Sequence, residues 1–558
     1  MSGISDGERR CIMKSRSKSK SFLAGAAVLG MAGLLCKVIG AVYRIPLSNY
    51  ILHKEGIAYY QVAYPVYSAL LTISSAGLPT AISRMVAERV QEGRERDALS
   101  VFRSALYVLF GIGILSCLIL ALFSKQIASF LGSSNACYAL VAIAPALVLV
   151  SIMSAYRGYF QGMQNMTPTA VSQIIEQLGK LAAGFPLAAY MMKYGAEYGA
   201  AGALLGVSVS EGLALIYMVV HKARYGSELK SRIRWADERC DLTGDGEETA
   251  RNIIRTLFTI AIPITIGASI MPLVGMTDTM IVINRLQDIG FSEQTATNLY
   301  GLFTGNVNTI VNMPQVLTLA LSMALVPAIT GSLTAKNYRA MRSTVQQGIK
   351  LSWMIGMPCC VGLFMLAKPV MRLLYSSYGA EDLNTMAGLL RIMSFAILFL
   401  SVVQTTTGIL QGLGRVIVPV LTLAIGAVFK VIINYILVGT PAVNIYGAPI
   451  GTIVCYAIAG ILNTFMICYI TRTKFSFSDV IVKPGISVLA MAFVLALIML
   501  ALGDHAESRI FALVGVLIGA AVYGMMLVMT GAITQDDMKI VPGGAHITRL
   551  LKRMKMWR

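Results

Sequence analysis

The chain is a succession of apolar runs, about 14 of them, each close to or beyond the roughly 20 residues with which an α-helix crosses the hydrocarbon core of a bilayer. They fall at 22–48, 58–86, 99–123, 136–156, 169–193, 199–221, 257–284, 299–330, 345–367, 386–407, 416–438, 446–470, 485–503 and 509–531. Lipid offers backbone groups no partner, so such a chain is expected to fold as an all-α polytopic membrane protein. Composition agrees: 56% of the 558 residues are hydrophobic and 13% are charged, against about 25% charged in a soluble domain.

Lys and Arg number 46 against 27 Asp and Glu, a net charge of +19. Polytopic proteins gather Lys and Arg in their cytoplasmic loops, so the surplus reports orientation and not a nucleic-acid partner. Arg9, Arg10, Lys14, Arg16, Lys18 and Lys20 precede the first run, and Arg549, Lys552, Arg553, Lys555 and Arg558 follow the last. Both termini are therefore expected in the cytoplasm. The loops with Arg89, Arg94 and Arg96, with Lys222 to Arg251, and with Lys336, Arg339 and Arg342 fall on the same side. The first run is too long for the core of a cleaved signal.

No cofactor or metal is expected. The nine cysteines lack metal-ligand spacing, and DLTGDGEE at 241–248 lacks the ligand spacing and closing Glu of a calcium loop. There is no Walker motif. His53, His221, His505 and His546 are scattered, and the outside loops are too short to assemble a reactive cluster, so an enzyme is not expected.

An internal repeat divides the first twelve runs. The segment at 156–180 aligns without gaps on 406–430, an offset of 250 residues, and places Gly158, Gln161, Gly162 and Lys180 on Gly408, Gln411, Gly412 and Lys430. YGAAGA from Tyr198 corresponds to YGAPIG from Tyr446, and AGLP from Ala76 to ALVP from Ala324. Duplicated six-helix halves are the signature of alternating-access transporters. The expected organisation is a basic tail 1–21, a first lobe 22–221, a cytoplasmic linker 222–256, a second lobe 257–470, two extra C-terminal helices within 471–531 and a basic tail 532–558.

Ionisable groups inside hydrocarbon mark a polar path by default. Lys37 and Arg44 share one face of the first run with Gly33 and Gly40; Arg44 either snorkels to the outer surface or lines the path. Arg84 is a path residue or an inside anchor. Glu176 and Lys180 form an i,i+4 pair that either neutralises itself or faces the path. Lys430, with Asn434 one turn on, has no carboxylate four residues before it and reads as a lone deep cation. Asp278 is a gate candidate, answering Arg44. Asn308, Asn312 and Gln315 suit either hydroxyl-rich cargo or helix–helix hydrogen bonds. Tyr60, Tyr64 and Tyr67 read as an aromatic belt. Glu211 and Arg391 are further ionisable residues without an assigned role. Cations outnumber carboxylates, so the path is expected to select anions, with phosphate or pyrophosphate head groups fitting best. Pro46, Pro65, Pro79, Pro263, Pro272 and Pro314 are expected to supply bends.

The motifs KVIGAVYRIPL (37–47), YYQVAYPVYSALLTISSAGLPTAISR (59–84), RGYFQGMQNMTPTAVSQIIEQ (157–177) and MTDTM (276–280) resemble the polysaccharide-transporter branch of the multidrug, oligosaccharidyl-lipid and polysaccharide exporter superfamily, which holds the stage V sporulation protein B and MurJ-type lipid II flippase families. The resemblance implies 14 helices in two lobes around a V-shaped cavity, with Lys37, Arg44 and Arg84 at positions that contact pyrophosphate. Lys37 stands where the family often has arginine, and an ammonium is a point charge rather than a bidentate fork. The implied cargo is an undecaprenyl-pyrophosphate-linked sugar, moved from the inner to the outer leaflet for cell-wall or spore-cortex synthesis, with membrane lipids and cell-wall synthesis proteins as partners. The alternative is a cation-coupled multidrug exporter of the same superfamily.

Overall fold

A computed structural model describes residues 28–237, 250–473 and 475–533. The basic tails and the central part of the expected linker lie outside the described residues, apart from Ala532 and Ile533. Among the described residues the chain is helical and holds no strand.

Twelve helical stretches are long and apolar enough to cross a membrane, against the 14 runs read from the sequence. The difference lies in two places. Val28–Gln91 is one helical stretch of 64 residues; at about 1.5 Å per residue it is roughly three times as long as a bilayer core is thick. It covers both of the first two expected spans. Its course changes at a π turn, Leu47–Leu52, followed by His53 with φ 52°. The second place is the expected span 169–193, which is split into helix Thr167–Gly179, π turn Lys180–Gly184 and helix Phe185–Met191, each too short to count alone.

The helices used below are α1 (28–46), α2 (His53–Ser75), α3 (Leu78–Gln91), α4 (Glu95–Leu122), α5 (Cys137–Gly162), α6 (Thr167–Gly179), α7 (Phe185–Met191), α8 (Ala196–Asp237), α9 (Ala250–Asp288), α10 (Glu293–Gly301), α11 (Gln315–Thr334), α12 (Tyr338–Met365), α13 (Ala380–Gly412), α14 (Ile417–Val438), α15 (Gly447–Thr471), α16 (Lys483–Leu502) and α17 (Arg509–Met529). Pro65, Pro263 and Pro272 lie inside helices, whereas Pro79 sits in the first turn of α3 and Pro314 caps α11. A proline costs least at such starts, where its missing N–H would have had no intrahelical partner.

The chain groups into two compact units. One takes the residues up to Tyr43, Ala63–Ala128 and Ala136–Pro272; the other takes Arg44–Val62, Ser129–Asn135 and everything from Leu273. In the first, Ile82, Met85, Val101, Leu109, Met153 and Phe160 form the buried centre. In the second, Leu325, Ile329, Val345, Ile409, Ile467 and Leu495 do so.

The repeated glycines account for a joint present in each unit. A Cβ on Gly158 would stand 2.8 Å from the Pro79 carbonyl oxygen, and one on Gly162 2.8 Å from that of Ser83. Likewise, Gly408 abuts Ser322, and a Cβ on Gly412 would stand 3.0 Å from the Val326 carbonyl oxygen. Small residues let the backbones of α5 and α3, and of α13 and α11, approach closely, which is how helices associate when lipid removes the hydrophobic drive between them. The packing also revises one detail of the repeat: the position corresponding to Pro79 is Ser322, not Pro327.

Candidate functional site

Each unit holds a buried cluster built around one of the two repeat lysines. In the first, Glu176 on α6 accepts from Arg157 Nη2 of α5 at 2.9 Å and from Lys180 Nζ, the first residue of the π turn, at 3.4 Å. Arg157 Nε also donates to Ser172 Oγ at 3.1 Å, and Ser172 in turn donates to the Thr169 carbonyl oxygen at 2.8 Å. Glu211 of α8, 2% exposed, brings its carboxyl against that of Glu176, and its Oε2 finds no hydrogen-bond partner. Cys36 of α1 lies beside the same charges. Glycine lets the π turn pack closely on its neighbours: a Cβ on Gly184 would stand 2.6 Å from Tyr43 Oη, and Gly206 of α8 abuts the Gly184 backbone. The Tyr43 ring stacks on Phe185 at 4.9 Å.

In the second unit Lys430 of α14 is not a lone cation. Its Nζ lies 2.7 Å from Asp278 Oδ2 on α9, and the Asn434 amide donates to Asp278 Oδ1. Asn434 is fully buried and its own Oδ1 has no partner. Beside Asp278, Thr279 Oγ1 and Tyr300 Oη of α10 are 2.7 Å apart. The sequence offers Lys430 no carboxylate a turn earlier because Gly426 stands there. The Cys455 carbonyl of α15 occupies the space its side chain would need. The counter-charge arrives from α9 instead, and Asp278 is thereby engaged by Lys430 rather than by Arg44.

Lys37 and Arg44 make no ion pair among the described residues. Lys37 is exposed on α1, and Arg44 lies near Tyr375 in the second unit. Arg84 is exposed and pairs with Glu88 at 2.9 Å. Arg391 is exposed on α13. Gln404 of α13 donates to Gln315 at 3.1 Å, and Gln315 bonds to Asn312, so part of that polar stripe ties helices together. Tyr60 and Tyr67 are 5% and 3% exposed, buried rather than set at a lipid surface.

Two features carried no signal strong enough to be singled out in the sequence. Arg157 opens one of the motifs above, but its role depends on α6. A polar latch in the second unit joins segment 44–62 to residues far along the chain. Ser48 Oγ is 2.7 Å from both Asn306 Oδ1 and Tyr378 Oη, and Asn49 Oδ1 accepts from Ser377 N at 3.0 Å and from its Oγ at 2.7 Å. Lys54 pairs with Asp382 at 2.5 Å.

Among the described residues no group of three or more His, Cys, Asp or Glu could hold a metal ion. Membrane-crossing helices with paired and unpaired charges inside them define the class of a multi-pass membrane protein. Within that class the chain belongs to the polysaccharide biosynthesis protein family, whose profile residues 22–333 match; residues 304–436 match the related MatE profile. Stage V sporulation protein B of Bacillus subtilis is 26% identical, with 94% of this chain and 98% of that protein aligned. The Lipid II flippase MurJ of the same organism is 27% identical over 92% of this chain and 95% of its own length. The solved structure of Lipid II flippase MurJ in an inward closed conformation superposes with a TM-score of 0.67 at 15% identity, covering 90% of this chain and 98% of that one. These place the chain in the multidrug, oligosaccharidyl-lipid and polysaccharide exporter superfamily.

Proposed function

We propose that the protein exports a polyprenyl-pyrophosphate-linked oligosaccharide, a lipid II-like peptidoglycan precursor, from the inner to the outer leaflet of the bacterial cytoplasmic membrane by alternating access, with both termini in the cytoplasm. The observation that carries this is the pair Lys37 and Arg44: two cations within one membrane helix and no carboxylate partner for either among the described residues. An unneutralised cation at membrane depth is costly unless water or an anion meets it, and a pyrophosphate head group supplies that anion. Lys180 and Lys430 already have carboxylates, so Lys37 and Arg44 stand first among the head-group ligands, with Arg84 at the exposed end of the set. The relatives' names support the same cargo class for export toward cell-wall or spore-cortex synthesis.

The test is flipping of labelled lipid II by the purified protein in proteoliposomes. The wild type is expected to flip, while Lys37→Ala and Arg44→Ala, folded and inserted, each lose roughly tenfold or more, the value of one charge-assisted contact. Wild-type protein that exports a cationic dye but leaves lipid II in place would establish the second reading, a cation-coupled multidrug exporter, which the MatE match favours.

A further inference from the structure

Away from both lysine clusters, a cavity of about 430 Å³ opens in the second unit where three chain turns meet: the start of α12, the turn after α13 and the end of α15. Arg342, Arg415 and Arg472, one from each turn, line it together with Tyr338 and the apolar side chains of Leu333, Met341, Leu413 and Ile470. The volume lies in the ordinary range for small-molecule sites. None of the three arginines has a carboxylate partner among the described residues.

Two details mark the cavity as built. Arg342 Nε donates to the Thr471 carbonyl oxygen at 2.9 Å, which fixes the guanidinium plane and leaves its terminal nitrogens for another acceptor. Arg472 caps α15 in the left-handed conformation, φ 53° and ψ 34°. Glycine or asparagine normally takes that position, and an arginine there is strained. The strain brings the third guanidinium to the cavity. The corresponding turn of the first half, after Gly162, reads MQN and carries no arginine, so Arg415 is particular to this half.

We propose that this cavity is a binding site for the phosphate-bearing head group of an anionic phospholipid, whose glycerol and acyl chains follow the apolar side of the lining. Planar guanidinium forks from three directions suit a phosphodiester better than they suit one another, and basic pockets between membrane helices on the cytoplasmic side hold such head groups. The side of the membrane rests on the orientation proposed above; the site itself does not depend on the cargo.

The experiment uses the full chain in detergent micelles and follows thermal unfolding and native mass spectra as phosphatidylglycerol, phosphatidylcholine or inorganic phosphate is added. Phosphatidylglycerol is expected to raise the unfolding temperature and to remain bound, and phosphatidylcholine to do neither. Arg415→Gln with Arg472→Gln should weaken phosphatidylglycerol binding roughly tenfold or more, while Arg339→Gln, outside the lining, leaves it intact. Arg472→Gly is the sharper variant. It relieves the backbone, so the lipid-free protein should unfold at the same temperature or higher while the lipid response falls; a merely structural arginine would not separate the two. An undiminished response in the double variant, an equal response to phosphatidylcholine, or full reproduction by inorganic phosphate would each overturn the proposal. No arm contains lipid II, so a failure here is distinct from a failure of the flipping assay.

Discussion

Lys430 Nζ stands 2.7 Å from Asp278 Oδ2, and Asn434 closes the other carboxylate oxygen, so a lysine that reads as isolated along its own helix is the centre of a three-residue buried ion site. Its repeat mate Lys180 reaches the same condition by another route, with Glu176 on its own helix and Arg157 on a neighbour. Both lysines are thereby held by carboxylates, whereas Lys37 and Arg44 of α1 have none among the described residues.

Removing one partner of such a pair strands the other. Lys430→Met is expected to lower stability by about 3–5 kcal/mol, the usual result of breaking a buried pair. Adding Asp278→Asn should restore much of the loss. Thermal unfolding of both single variants and the double variant completes the cycle; no loss in Lys430→Met would show the pair to be dispensable for folding.

The two carboxyls of the first cluster are expected to differ. Glu176→Gln removes the carboxylate that Arg157 and Lys180 both bind, leaving only the Glu211 carboxyl beside them, and should cost about 3–5 kcal/mol. Glu211→Gln replaces a carboxyl whose Oε2 has no partner and should stay within about 1 kcal/mol of the wild type. Equal losses on denaturation of the two variants would contradict the assignment of Glu176 as the bridging group.

Gly158→Ala places a methyl 2.8 Å from the Pro79 carbonyl and 2.9 Å from Ile82 Cβ. Overpacking of this kind costs about 1–3 kcal/mol. A lower unfolding temperature, with a normal value for Gly111→Ala, where a Cβ meets nothing within 4 Å, is the expected pattern.

The latch gives a test of movement. With native cysteines replaced, Asn49→Cys and Ser377→Cys joined by a short bifunctional reagent should stop lipid transport, and cleavage of the reagent should restore it. Full transport in the joined protein would mean that segment 44–62 stays on its present partners throughout the cycle.

The spans were legible because each apolar run reports its own helix, and Gly158 and Gly408 were legible as a repeat because two copies could be compared. The partner of Lys430 was not, since Asp278 lies on a helix distant in sequence and only packing brings it near. Arg157 stood in a motif, yet nothing in its neighbours points to Glu176. The π turns at Leu47 and Lys180 left no clear mark either. LSNYIL and KLAAG share no pattern that distinguishes them from an ordinary α turn, and at Lys180–Gly184 the close approach of Gly206 to Gly184 arises only on packing.

The π turn that begins at Lys180 has a counterpart that lacks it: Lys430 sits within the unbroken helix α14. The offset between the halves is 250 residues as far as these lysines and 248 at Tyr198 and Tyr446, so the first half carries two more residues beyond its lysine. A π turn absorbs one residue more than an α turn, and each residue turns a helix by about 100°. The two copies therefore agree on the approach to the lysine and diverge by rotation after it. The exchange of Glu176 for Gly426 before the lysine sets its counter-charge, while the slip of the backbone after it rotates everything that follows.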